Sequence, residues 1–328
     1  MALVTGSVYR GAHEGYLYYI PQDEKFILPD TVADPALLVV DTPVGISPFP
    51  SASHTSNQQP VQGIGSGRAM NMVAGRREST IRVSQMQFAD GTFLLNALRD
   101  HSDPDDAATV KGLPLFACEY GTDANYGAAG AIAEQGIDCL INTMRLDAAE
   151  NQPLAADLEI WPHVILPQDA PLDDPAFAAA NILLWQHLSW TVDGGDDLHP
   201  ILSRVSLSVS NNLSREGMRQ VLLDVDEAEI ALSRTPYVIV PHIETIQVQY
   251  TLRDRIPSAL RTADDWGEVV LTAAQPGSGA GRGYFTATIS HNFLNTESFQ
   301  QAAANQQLAF TVDVPAYAVT FDAGLTLA

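Results

Sequence analysis

The chain has 328 residues, of which 46% are hydrophobic and only 17% charged, and it carries a formal net charge of −22. A chain of this size and apolar content buries a sizeable core, which excludes disorder throughout. Its 39 acidic against 17 basic residues exclude a basic phosphate-gripping surface, and with it tight binding of DNA or RNA.

The amino-terminal stretch MALVTGSVYRG has no basic region followed by an apolar run, so no signal peptide is expected. No window approaches ~18 uninterrupted apolar residues, so no transmembrane helix is expected. The dominant period is two. Strands are predicted over 16–20 and 36–40. Thr42 to Gly67 is rich in Pro, Ser, Gly, Gln and Asn and too long for an ordinary connection, which marks it as a functional or flexible loop. Apolar and polar residues then alternate from Thr80 to Phe88 (TIRVSQMQF). A helix is predicted over Thr92 to Arg99, opened by Asp90-Gly91. Strands follow over 113–119, 137–146 and 156–165. Cys118 and Cys139 lie in two of these apolar runs and read as reduced core thiols, although the sequence leaves a disulfide open.

Gln168 to Pro175 (QDAPLDDP) is the best linker and divides the chain into 1–170 and 171–328. After Asp174-Pro175 a helix is predicted over Ala176 to His187. The alternation returns in Ile201 to Ser210 (ILSRVSLSVS) and Glu244 to Arg253 (ETIQVQYTLR). A short helix over Pro257 to Arg261 precedes strands at 268–273, 283–290 and 307–314. Gln275 to Gly283 reads as a hairpin tip or lumen-edge loop. Many short strands with few helices make the fold mainly β, a sandwich or barrel. An alternating strand, a short helix and three strands occur twice, which implies duplication of one β unit. The expectation is two tandem β-sandwich or β-barrel domains, each with a short helix.

Period-two alternation assigns faces. Val205, Leu207 and Val209 oppose Arg204, Ser206, Ser208 and Ser210. Ile246, Val248, Tyr250 and Leu252 oppose Thr245, Gln247, Gln249 and Thr251. In the earlier strand Ile81 and Val83 oppose Arg82 and Ser84. Arg82, Ser84, Ser206, Ser208, Thr245, Gln247 and Gln249 thus form a candidate hydrated wall of a channel, or the solvent face of an ordinary sheet. No catalytic, metal or cofactor site is expected. The eight histidines are scattered, no HExxH or CxxC occurs, and Gly63 to Gly67 lacks a surrounding βαβ unit. Trp161, Trp185, Trp190 and Trp266 read as core or subunit-interface residues.

From Trp185 to Asp254 the chain runs as LLWQHLSW, SRVSLSVSNNL, an acidic connection, and SRTPYVIVPHIETIQVQYTLRD. Its first half carries GLPLFACEYG and a strand ending in TMRL. This order, from about 64 to 320, resembles the two-domain tail tube (major tail) proteins of long-tailed, non-contractile bacteriophages. The resemblance implies a structural virion protein, not an enzyme, that assembles in the host cytoplasm into stacked rings of six units. Its partners would be further copies of itself, the tape-measure protein, the tail terminator and distal tail proteins, with DNA passing transiently and no membrane. A duplicated chain leaves six or three copies per ring open. Pro48, Phe49, Gln58 and Gln59 of the long loop are candidate contacts to an adjacent ring, and the seven wall residues would face the lumen. The competing expectation is a receptor- or carbohydrate-binding β-sandwich module.

Overall fold

A computed structural model describes residues 15–23, 42–45, 50–56, 59–62, 69–73, 77–89, 91–122, 133–167, 182–195, 197–217, 237–263, 265–277, 282–290, 296–300 and 309–325. The fold is mainly β, built from antiparallel sheets. The first strands are β1 (Gly15–Pro21), β2 (Thr42–Pro43), β3 (Ser51–Ser56), β4 (Gln59–Gln62), β5 (Ala69–Val73) and β6 (Arg77–Gln87). A 3₁₀ helix over Thr92–Ala97 leads to β7 (Thr109–Val110), β8 (Leu113–Pro114), β9 (Phe116–Thr122), β10 (Ala133–Ala149), β11 (Ala155–Trp161) and β12 (Val164–Pro167). The later strands open with β13 (Leu188–Val192), β14 (Leu202–Ser210), β15 (Ser214–Gly217), β16 (Tyr237–Val240) and β17 (Thr245–Leu252). Helix α1 (Ser258–Arg261) precedes β18 (Val269–Ala274), β19 (Gly283–Ser290), β20 (Thr296–Gln300), β21 (Ala309–Ala316) and β22 (Ala318–Leu325).

Two layers organise these strands. The first is a continuous antiparallel sheet in the order β3-β6-β11-β10-β14-β17-β21-β20. The second layer has two parts, β2-β1-β9-β10-β12 and β13-β18-β19-β22. Strand β10 belongs to both layers: residues 133–139 pair with β9 and β12, and residues 140–149 pair with β11 and β14. The crossing is a bulge at Asp138, a buried non-glycine residue with φ +49°. Gln22 holds it reciprocally. Its Nε2 donates to Asp138 Oδ1 at 2.9 Å, and the Asp138 N–H donates to Gln22 Oε1 at 2.9 Å.

The chain traverses this architecture twice in the same order. The first run goes β1 (second layer), β3 and β6 (first), the 3₁₀ helix, β9 and the start of β10 (second), the rest of β10 and β11 (first), and β12 (second). The second run goes β13, β14 and β17, α1, β18 and β19, β20 and β21, and β22, in the same alternation of layers. Each run places a two-stranded hairpin, β4–β5 or β15–β16, between its first two strands of the first layer. The sequence carries the equivalence in Thr80-Ile81-Arg82-Val83 against Thr245-Ile246-Gln247-Val248. Ile81 pairs with Ile160 and Val83 with Leu158, as Ile246 pairs with Ala316 and Val248 with Val314.

Inward residues of both layers and both runs form one hydrophobic cluster. Phe93 sits edge-on to Tyr19 and Phe116, while Phe88 of the first run meets Phe285 of the second at 5.8 Å. Trp190, Tyr250 and Trp266 stack, with centroids 4.8 and 6.2 Å apart. Rings of this size dominate core energetics through the area they remove from water. Trp185 is buried as well and Trp161 partly so. Cys118 and Cys139 are free, buried thiols on adjacent strands with Sγ atoms 3.6 Å apart. The boundary near residue 171 lies outside the described residues, yet strands from either side of it pair directly at β10–β14.

Three expectations need correction. The segment 42–67 is not one loop, because β2, β3 and β4 lie within it. Strand β3 escapes detection because Ala52 is its only apolar residue, which suffices at a sheet edge. The helix over Ala176 to His187 fails in its described part. Leu184 bridges Pro153 and only Trp185–His187 turn, as a 3₁₀ helix, because the apolar run ILLW fits extended core backbone as well as a helix. The strand over 156–165 is two strands, broken at Pro162 and His163 where the chain changes layer. The strand at 36–40 and the tip of the 275–283 connection lie outside the described residues. No described helix is long and apolar enough to cross a membrane.

Candidate functional site: the polar face of the first layer

Alternation on β6, β11, β10, β14, β17 and β21 buries one face of the eight-stranded sheet and turns the other outward. The structure brings all seven wall residues onto this outward face. Ser208 lies opposite Gln247, Ser206 opposite Gln249, and Thr245 opposite Ser210. Arg82 lies opposite Glu159. Ser84 borders a bulge at Gln85 (φ +53°), whose N–H donates to Asp157 Oδ1 at 2.7 Å. Of the four residues expected to contact an adjacent ring, Pro48, Phe49 and Gln58 lie outside the described residues, and Gln59 begins β4.

The face is not built of short neutral side chains alone. Its middle carries Arg82, Arg145 and Arg204, and each is met by a carboxylate. Arg82 Nη2 lies 3.1 Å from Glu159 Oε2. Asp147 holds two guanidinium groups at once, with Arg145 Nε at 3.0 Å and Arg204 Nη2 at 2.9 Å. Arg145 Nε also donates to the Ser206 hydroxyl at 3.0 Å. Glu159 further accepts hydrogen bonds from Asn142 Nδ2 at 2.9 Å and Trp161 Nε1 at 2.8 Å. Burial pushes the Glu159 carboxyl up, but these donors and the Arg82 charge outweigh it and hold the group below the usual carboxylate range. The face therefore presents three ion-paired guanidinium groups against two carboxylates, in a chain that is acidic overall.

Arg145, Asp147 and Glu159 were not among the residues singled out from sequence. For Arg145 and Asp147 the signal was present in their alternation with Met144, Leu146 and Ala148. It was obscured because residues 135–141 of the same strand are continuously buried where β10 passes between layers.

The site ends at a corner. Asn211, fully buried, donates from Nδ2 to the carbonyls of Ala97 and Ile141, both at 2.9 Å. Asn212 takes a left-handed turn (φ +47°) and donates to the Ile243 carbonyl at 2.6 Å. The Asn-Asn pair thus turns the chain from β14 into the β15–β16 hairpin. Among the described residues no cluster of three His, Cys, Asp or Glu side chains is placed to hold a metal ion. Comparison with known proteins finds no matching family and no matching curated relative.

Proposed function

We propose that this chain is a structural protein that assembles head to tail into stacked rings, as the tail tube of a long-tailed, non-contractile bacteriophage does. The observation that carries the reading is the β10–β14 junction. There the first-layer edge strand of one run pairs, antiparallel, with the first-layer edge strand of the next, so that one sheet continues through both. The same relation between copies joins β20 of one chain to β3 of another, since β20 matches the second half of β10 and β3 matches β14. These two strands are the edges of the first layer among the described pairings. Pairing satisfies backbone groups that would otherwise template aggregation. A heterologous interface of this kind closes into a ring when its rotation allows.

A ring of six runs takes three copies of this chain. With eight first-layer strands per copy, it would be a barrel of about 24 strands, well above the roughly 16–18 strands that already enclose an aqueous channel. Lined by the polar face, such a channel offers serines, threonines, glutamines and ion-paired arginines. A polyanion passing through would find no free guanidinium on the described face to hold it. The tape-measure protein would occupy this channel before DNA does. Negative-stain electron microscopy of the purified protein tests the reading: rings or hollow tubes are expected, and a protein that stays monomeric at every concentration contradicts it.

A further inference from the structure

In the first run, the ends of β6 and β11 are covered by the base of the β15–β16 hairpin of the second run. The Arg215 guanidinium carbon lies 3.8 Å from the centroid of the Trp161 ring. Its side chain is 8% exposed, with Nη1 3.7 Å from Glu78 Oε2. Arg215 also donates to the Ser79 carbonyl and to Thr80 Oγ1. Leu213, just before β15, and Ile239 of β16 are buried with Leu113, Leu115 and Leu140 of the first run.

Strand register names the matching positions in the second run. Thr80 matches Thr245, so Glu78 matches Ile243. Ile160 matches Ala316, so Trp161 matches Tyr317. Ile243 and Tyr317 are the two exposed large hydrophobic residues among those described, at 87% and 74%. Both stand at the same end of the sheet, where β17 begins and β21 ends.

We propose that Ile243 and Tyr317 are the docking site for the β4–β5 hairpin of a second copy of this chain. The occupant follows from the repeat. Hairpin β4–β5 follows β3 in the chain as β15–β16 follows β14, and β14 carries its hairpin across β10 to Trp161. When β3 of one copy pairs with β20 of another, its hairpin crosses β20 and reaches Tyr317 in the same way. The chemistry changes in step. The first run offers Trp161 and Glu78 to an arginine, whereas the second offers Tyr317 and Ile243, which suit an apolar segment. Residues 59–62 and 69–73 carry Val61, Met70, Met72 and Val73 and no charge. The docked contact removes these two exposed apolar side chains from water, the usual source of association energy.

This inference rests on the head-to-tail assembly proposed above, and its test separates the two. Sedimentation velocity is measured over a concentration series for the native chain and for Ile243→Ser combined with Tyr317→Ser, with circular dichroism to verify folding. Both sites are exposed, so the folded subunit is expected to be unchanged. The native chain is expected to assemble, and the double variant to need at least tenfold more protein. A double variant that assembles at the native concentration overturns the docking site and leaves the ring reading standing. A native chain that never leaves the monomer overturns both. The occupant is tested by mixing Tyr317→Cys chains with Val61→Cys chains under a short bis-maleimide. A cross-linked heterodimer is expected only in the mixture, and its absence under assembling conditions overturns the assignment to β4–β5.

Discussion

Arg99 grips Asn211 across the two runs of the chain: its Nε donates to Asn211 Oδ1 at 3.2 Å and its Nη2 to the Asn211 carbonyl at 2.9 Å. Burial lowers the Arg99 pKa, while Glu244 nearby raises it. With the bonds from Asn211 Nδ2 to Ala97 and Ile141, a single buried amide ties the 3₁₀ helix, β10 and the end of β14 together. Asn211→Leu keeps the number of side-chain heavy atoms but strands two carbonyls and the Arg99 Nε, while the bond from Arg99 Nη2 to the backbone carbonyl remains. The expected cost is about 2–4 kcal/mol, because buried polar groups left without partners lose their full desolvation energy. Urea unfolding reads this as a lower midpoint with unchanged slope. A cost below about 1 kcal/mol would show that the corner is held by packing alone.

Asp147 is the residue that keeps Arg145 and Arg204 from acting as free cations. Asp147→Asn removes one negative charge and leaves two guanidinium groups without a carboxylate. Partly exposed pairs contribute only ~0–1 kcal/mol, so the fold is expected to stand. What changes is retention on a heparin column at low ionic strength, which should rise above that of the native protein and fall again with salt. The variant Asp147→Asn combined with Arg145→Gln and Arg204→Gln should lose the gain. Equal retention of Asp147→Asn and native protein at low salt would show that the arginines are not masked by this carboxylate.

Glu159 sets a pH dependence whose sign is fixed by its lowered folded-state pKa. The folded state holds the carboxylate more tightly than the unfolded chain does. Its contribution is therefore complete above the unfolded-state value, near pH ~4.3, and is lost as pH falls through the folded-state value. Glu159→Gln should flatten the urea midpoint against pH below about pH 4.3 relative to the native protein. Parallel profiles for the two proteins would show that the bonds from Asn142, Trp161 and Arg82 do not favour the charged form.

Much of the fold was legible because burial is one-sided. On β14 and β17 one face is core and the other solvent, so Val205, Leu207 and Val209 stand out from the serines between them, and the register of the sheet follows. The repeated order of strand, helix and strands was visible for the same reason. Strand β3 was not, because an edge strand of the sequence Ser-Ala-Ser-His-Thr-Ser contributes one side chain to the core and carries no apolar period. The charge pairs of the polar face were hidden differently. Arg82 and Glu159 are 77 residues apart and meet only when β6 pairs with β11. Neither pattern nor composition reports which arginine finds which carboxylate.

The proposed assembly repeats the β10–β14 junction between copies through β20 and β3. Native mass spectrometry of the assembled protein, read beside electron microscopy of the same sample, tests it most directly. Closed rings containing three chains, which stack into tubes and vanish when a proline placed at Ala52 interrupts the β3 edge, are expected. A discrete monomer or two-fold dimer at all concentrations, or rings indifferent to that proline, would contradict it.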